Sequence, residues 1–172
     1  MITNPRPVDD TAVNGQTEEG ITSNWAYDHA VNYDLHKKVV RKTADQTLTQ
    51  SNTTLQNVTD LLFAIGASEV WVFDMYILSN SGTTPDIKFD FAVPSGASGQ
   101  HVCLSSAKAE ENPIGTKIVV NGEATNVISA HHIIVINSTT AGNVQLQAAQ
   151  DASDASDTKV LANSCIVATQ LV

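Results

Sequence analysis

The sequence predicts an all-β protein, an antiparallel sandwich of the jelly-roll kind, carried behind an N-terminal extended arm and a short helix. Three observations predict it. Beyond residue 42 the apolar residues alternate with a period of two and show no helical spacing. Turn-forming groups of Gly, Pro, Ser, Asn and Asp break the chain at intervals of roughly 8–15 residues, giving about eight to ten short strands, the spacing of an antiparallel sandwich or barrel and not of βαβ units. One segment, EVWVFDMYILSN, is apolar on both faces, so its strand is covered on both sides.

Taken in order, residues 1–20 hold Pro5, Pro7 and Gly15 with no apolar period, and read as an extended arm. Thr22 or Ser23 can cap a helix whose first turn carries Trp25. Trp25, His29, Asn32, His36 and Val39 follow at alternating steps of four and three, a short stripe too polar to stand alone as a coiled coil. From Val39 the period becomes two. Within EVWVFDMYILSN one face carries Trp71, Phe73, Met75 and Ile77, and the other Val70, Val72, Asp74, Tyr76 and Leu78. DIKFDFAVP places Ile87, Phe89, Phe91 and Val93 inward with Lys88 and Asp90 outward. QHVCLSSAKA, TKIVVNG, ISAHHIIVINS, GNVQLQAAQ and KVLANSCIVATQLV complete the strands. The domains expected are an attachment arm with its helix over 1–42 and a β-sandwich over 43–172.

Of the 172 residues 42% are hydrophobic, enough for a core, while only 16% are charged. The net charge of −9 is unevenly placed: residues 1–42 carry six acids and five bases, residues 43–172 twelve acids and four bases. An acidic body repels phosphate backbones, which argues against nucleic acid as a ligand. Lys37, Lys38, Arg41 and Lys42 form the one basic cluster, read as a solvated or partner-facing strip. The opening MITNPRPVDD lacks the apolar run of a secretion signal, and no stretch approaches the ~18 apolar residues of a membrane helix, so synthesis in a cytoplasm is expected. Cys103 and Cys165 lie in apolar strand-like runs and read as buried thiols.

Each cluster with chemical potential also has a structural explanation. His29 and His36 share a helical face and, around a symmetry axis, would form imidazole rings; as metal ligands their spacing is poor, and a packing stripe is the better reading. His131 and His132 are adjacent in a strand and point to opposite faces, which makes one a satisfied, half-buried histidine and the other a surface residue. Asp151, Asp154 and Asp157 recur in DASDASDTK without the alternate spacing, glycine and closing glutamate of a calcium loop, and read as a solvated turn. No nucleophile elbow or phosphate loop occurs, so neither an enzyme nor a cofactor or metal site is expected.

Two long pieces, KTADQTLTQSNTTLQNVTDLLFAIGASEVWVFDMYILSNSGTTPDIKFDFAVPSGASG and AGNVQLQAAQDASDASDTKVLANSCIVATQLV, resemble a group of tailed-bacteriophage virion proteins with a TNF-like jelly-roll body. The opening VNGQTEEGITSNWAYDHAVNYDLHK is similar to short N-terminal modules of phage fibre-like proteins. The stretch from His101 to Ala141 departs most. The resemblance implies a non-enzymatic homotrimer on the particle exterior, decorating a capsid or forming part of a fibre, and partnered by a capsid, neck or tail protein. On that reading Val70, Val72, Tyr76 and Leu78, on the face of their strand not needed inside the sandwich, form the trimer contact. Pro5, Pro7, Trp25, Tyr27 and Tyr33 fasten the arm to the particle, since large aromatics anchor interfaces best. The alternative is a module that binds a host receptor or glycan.

Overall fold

The computed structural model describes residues 37–105 and 109–171. The segment expected to form the arm and short helix, with Pro5, Pro7, Trp25, Tyr27, His29, Tyr33 and His36, lies outside the described residues. Contacts divide the chain into two units, 1–36 and 37–172. The second is all-β.

Its strands are β1 (Lys37–Arg41), β2 (Gln46–Thr47), β3 (Gln56–Ile65), β4 (Val70–Ser81), β5 (Ile87–Ala92), β6 (Ser98–Leu104), β7 (Ala109–Pro113), β8 (Ile118–Val120), β9 (Glu123–Ile136), β10 (Gly142–Gln150), β11 (Thr158–Val160) and β12 (Cys165–Gln170). They form two antiparallel sheets. The larger runs β1-β12-β4-β9-β6-β7, with β11 also on β4 and β2 on β11; the smaller runs β3-β10-β5-β8. The longest ladder joins β4 to β9, from Val70 opposite Ile136 to Ser81 opposite Glu123, with one irregularity near Ser81.

One core lies between the sheets. Trp71, Phe73, Met75 and Ile77 of β4 are buried, as the alternation requires, against Phe63 of β3 and Phe89 and Phe91 of β5. Phe73 sits edge-on to both Phe63 and Phe91, with ring centroids 5.3 and 5.5 Å apart. Each fully buried side chain of this size stabilises the body by roughly 2 kcal/mol through area removed from water. Gly99 of β6 is required by close approach, because a Cβ there would run into the backbone carbonyl of Ile134 in β9.

Several expectations change, among them the buried thiol expected at Cys165, which is only partly covered. The sheet begins at Lys37, not at residue 43, because β1 pairs with β12 from Lys37 opposite Thr169 to Arg41 opposite Cys165. Lys42 is not part of a solvated basic strip: it is 1% exposed. Its ammonium donates to Oγ1 and the carbonyl oxygen of Thr59 and to Oε1 of Gln46. Asp90 is buried, not outward, because the turn after β7 folds over it and the Gly115 N–H donates to its carboxylate at 3.1 Å.

Candidate functional site

The larger sheet turns one face to the core and leaves the other uncovered within the body, and the pairing register orders that outer face into rows. The central row is Val39, Val167, Asp74, His132, Val102 and Glu111, one residue from each of the six strands β1, β12, β4, β9, β6 and β7. On one side lies the row Arg41, Cys165, Tyr76, Ala130, Leu104 and Ala109. On the other lies Lys37, Thr169, Val72, Ile134, Gln100 and Pro113. Ile128 opposite Leu78 and Ile136 opposite Val70 extend the face along β4 and β9.

This face is apolar far beyond what solvent requires. Val39 and Ile128 are 64% exposed, Leu104 58%, and Tyr76 and Ile136 49%. Scattered surface apolar residues need no explanation, but a contiguous group marks an interaction surface. In these rows charge stands at the centre and the two edges, and Lys159 of β11 adds a base at one end of the face. Asp74 and His132 form a cross-strand pair in which Nδ1 of the imidazole lies 2.7 Å from Oδ1 of the carboxylate. Lys37 and Arg41 stand on the β1 edge, and Glu111 on the β7 edge.

All four residues expected at a subunit contact, Val70, Val72, Tyr76 and Leu78, stand on this face. Sequence reasoning missed the contribution of β9. ISAHHIIVINS carries Ile128, Ile134 and Ile136 outward and Ile133 and Val135 inward, the same two-sided pattern that singled out β4.

His131 points the opposite way from His132, into the core. Its Nδ1 lies 2.7 Å from Nε2 of His101, the two rings sharing a hydrogen, and its Nε2 lies 2.8 Å from the Ser129 hydroxyl. The Cys103 sulfur is 3.8 Å from the same Nε2. The serine–histidine–histidine order resembles a nucleophile, its base and the base's orienting group. All three are sealed in the core, however, with Ser129 and His101 0% exposed and His131 2%. Burial lowers the His131 pKa to about 3, helped by the His101 charge, and that of His101 to about 4, against the pull of Glu110. Both rings are therefore neutral near pH 7.

Asp151, Asp154 and Asp157 do not converge. Asp151 pairs with Lys117, Asp154 accepts the Ser156 N–H at 2.7 Å, and Asp157 takes Lys159 at 2.9 Å and Gln50 at 2.8 Å. Among the described residues no group of three or more His, Cys, Asp or Glu side chains is placed to hold a metal ion. A shallow cavity of about 480 Å³ opens at one end of the outer face, lined by Asp45, Asn80, Asn126, Lys159 and Asn163 around Leu78 and Leu161.

No family model and no curated protein matches the chain. Among solved structures it is similar to a chain of the infectious bursal disease virus Gt strain at 11% identity, covering 78% of this chain and 37% of that one, with a TM-score of 0.23. The chain thus spans less than half of that protein, and a likeness of this size carries no argument.

Proposed function

We propose that the chain is a non-enzymatic structural protein of a tailed-phage virion. Its body is a TNF-like jelly roll that associates as a homotrimer on the particle exterior, as capsid decoration or part of a fibre. Residues before β1 hold it to a capsid, neck or tail protein, with Pro5, Pro7, Trp25, Tyr27 and Tyr33 as the anchoring side chains. The observation that carries this reading is the outer face of the large sheet, which presents Val39, Val70, Val72, Tyr76, Leu78, Ile128, Ile134 and Ile136 across neighbouring strands. A face of this kind is stable in water when another surface covers it.

Light scattering on the purified chain is expected to give about three times its 18.3 kDa mass. Tyr76→Asp is expected to shift the population toward monomer, since an unpaired carboxylate in a desolvated contact costs several kcal/mol. A wild-type monomer at micromolar concentration overturns the reading.

The cavity lined by Asp45, Asn80, Asn126 and Asn163 favours a second reading, a module that binds a host glycan. Amide and carboxylate groups suit sugar hydroxyls, but no aromatic ring lines this cavity for a sugar to stack on. Saturation-transfer NMR with neutral monosaccharides separates the two, and the first reading expects no transfer.

A further inference from the structure

Among the described residues, the Asp74–His132 pair is the one couple of ionisable side chains in the interior of the rows of the outer face, and its neighbours along and across the strands are apolar. Val72 and Tyr76 flank Asp74 along β4, and Ala130 and Ile134 flank His132 along β9. Val167 of β12 lies opposite Asp74, and Val102 of β6 lies opposite His132. In the single chain the pair is in water, with the His132 side chain 62% and the Asp74 side chain 55% exposed. A surface laid over this face would remove that water.

The occupant that fits is a second copy of this chain. Residues 43–172 hold twelve acids against four bases, so two copies repel across most approaches. The rows of the outer face hold Asp74 and Glu111 against Lys37 and Arg41, which leaves this face close to neutral. The bases of these rows stand on the β1 edge, and Glu111 stands on the β7 edge. A second copy laid across the face with its acidic β7 edge over the first copy's basic β1 edge covers the central pair and sets opposite charges together.

We propose that association of copies through this face takes up a proton at the Asp74–His132 pair, so that mildly acidic pH tightens the assembly and alkaline pH loosens it. This rests on the self-association reading given above and adds its regulation. With a neutral imidazole, each copy carries one uncompensated carboxylate charge under an apolar cover. With an imidazolium, it carries a hydrogen-bonded ion pair of zero net charge. The first is much the costlier to desolvate. The covered state therefore favours the proton. Assembly strengthens as pH falls because covering the face and binding the proton are linked.

The other titratable groups of the face stand further off. β12 contributes Cys165 and β4 contributes Tyr76, each one row away from the pair. β6 and β9 add none: their outward neighbours are Gln100, Leu104, Ala130 and Ile134. Lys37 and Arg41 on β1 lie two strands from Asp74, and Glu111 on β7 lies two strands from His132. Two strand spacings are roughly 10 Å, about a Debye length at physiological salt.

The test is sedimentation of the full chain over a concentration series at pH 6.0 and pH 8.5, beside the neutral double variant Asp74→Asn, His132→Gln. The wild type is expected to assemble at a concentration at least tenfold lower at pH 6.0 than at pH 8.5. The variant is expected to lose that difference and, at pH 8.5, to assemble more readily than the wild type. Both substituted positions are in water in the single chain, so the monomer's melting temperature serves as a control for folding. Wild-type assembly independent of pH overturns the proton linkage and leaves the interface standing, as does a pH effect that survives in the variant. No assembly at either pH removes the interface itself, and with it the linkage.

Discussion

His131 shows how much one side chain can decide. It fills the space between the sheets with its ring edge-on to Phe89, 5.5 Å between centroids, and has a polar partner at each nitrogen. It is stable there only while neutral. A histidine whose pKa is lowered on folding binds its proton more readily in the unfolded chain. His101 and His131 therefore contribute fully above the unfolded value near 6.5, and that contribution is lost as pH falls toward about 4 for His101 and about 3 for His131. The loss is roughly 1.4 kcal/mol per pH unit for each group while it lasts. Calorimetry from pH 7 to pH 4.5 is expected to show a falling melting temperature. The double variant His101→Gln, His131→Gln is expected to melt lower at pH 7 but to fall less steeply. The opposite orientation of His131 and His132 was legible from adjacency in a strand. The partnership with His101 was not, because it depends on β6 lying beside β9, thirty residues apart in sequence. Lys42 and Asp90 escaped for the same reason: a charged residue reads as exposed until the groups that satisfy it, Thr59 and Gly115, are in place.

Among the elements, β1 is the most informative. Its five residues pair with the whole register of β12 from Cys165 to Thr169, and Lys42 just after it is locked to Thr59 and Gln46. Deleting residues 1–36 leaves every described strand intact. Deleting 1–42 strips β1 and Lys42, leaves an edge of β12 unpaired and removes several buried hydrogen bonds of roughly 1 kcal/mol each. A loss of roughly 3 kcal/mol is expected, or roughly 6–12 °C at this chain length. Equal melting temperatures for the two truncations would contradict the role of β1. The period of two from Val39 made this strand visible in the sequence. Its start was obscured because the alternation of Lys37 to Arg41 places charges at both ends of one face. β4 was legible over its apolar part, Val70 to Leu78, since both faces there are apolar, but its polar end at Ser79–Ser81 reads as the start of a turn. The β6–β7 hairpin was not, because Glu110, Glu111 and Asn112 look like loop residues until the edge position of β7 explains them.

For the molecule as a whole, charge is segregated: an acidic body carries one broad face with little acid on it. The all-β class of the described residues followed from periodicity and composition, whereas the breadth of the outer face emerged only once six strands had been set in register. One detail of that face has a practical consequence. Neither cysteine is in a disulfide, and the two sample opposite sides of the same sheet: Cys103 is buried beside His131, while Cys165 is partly exposed between Arg41 and Tyr76. A maleimide is therefore expected to modify Cys165 and spare Cys103 in the folded single chain. Once copies cover the face, Cys165 should be shielded as well. Its alkylation rate, followed by mass spectrometry across a dilution series, becomes a clock for assembly that needs no added tag or substitution, and a rate that does not change with dilution would place Cys165 outside any contact between copies.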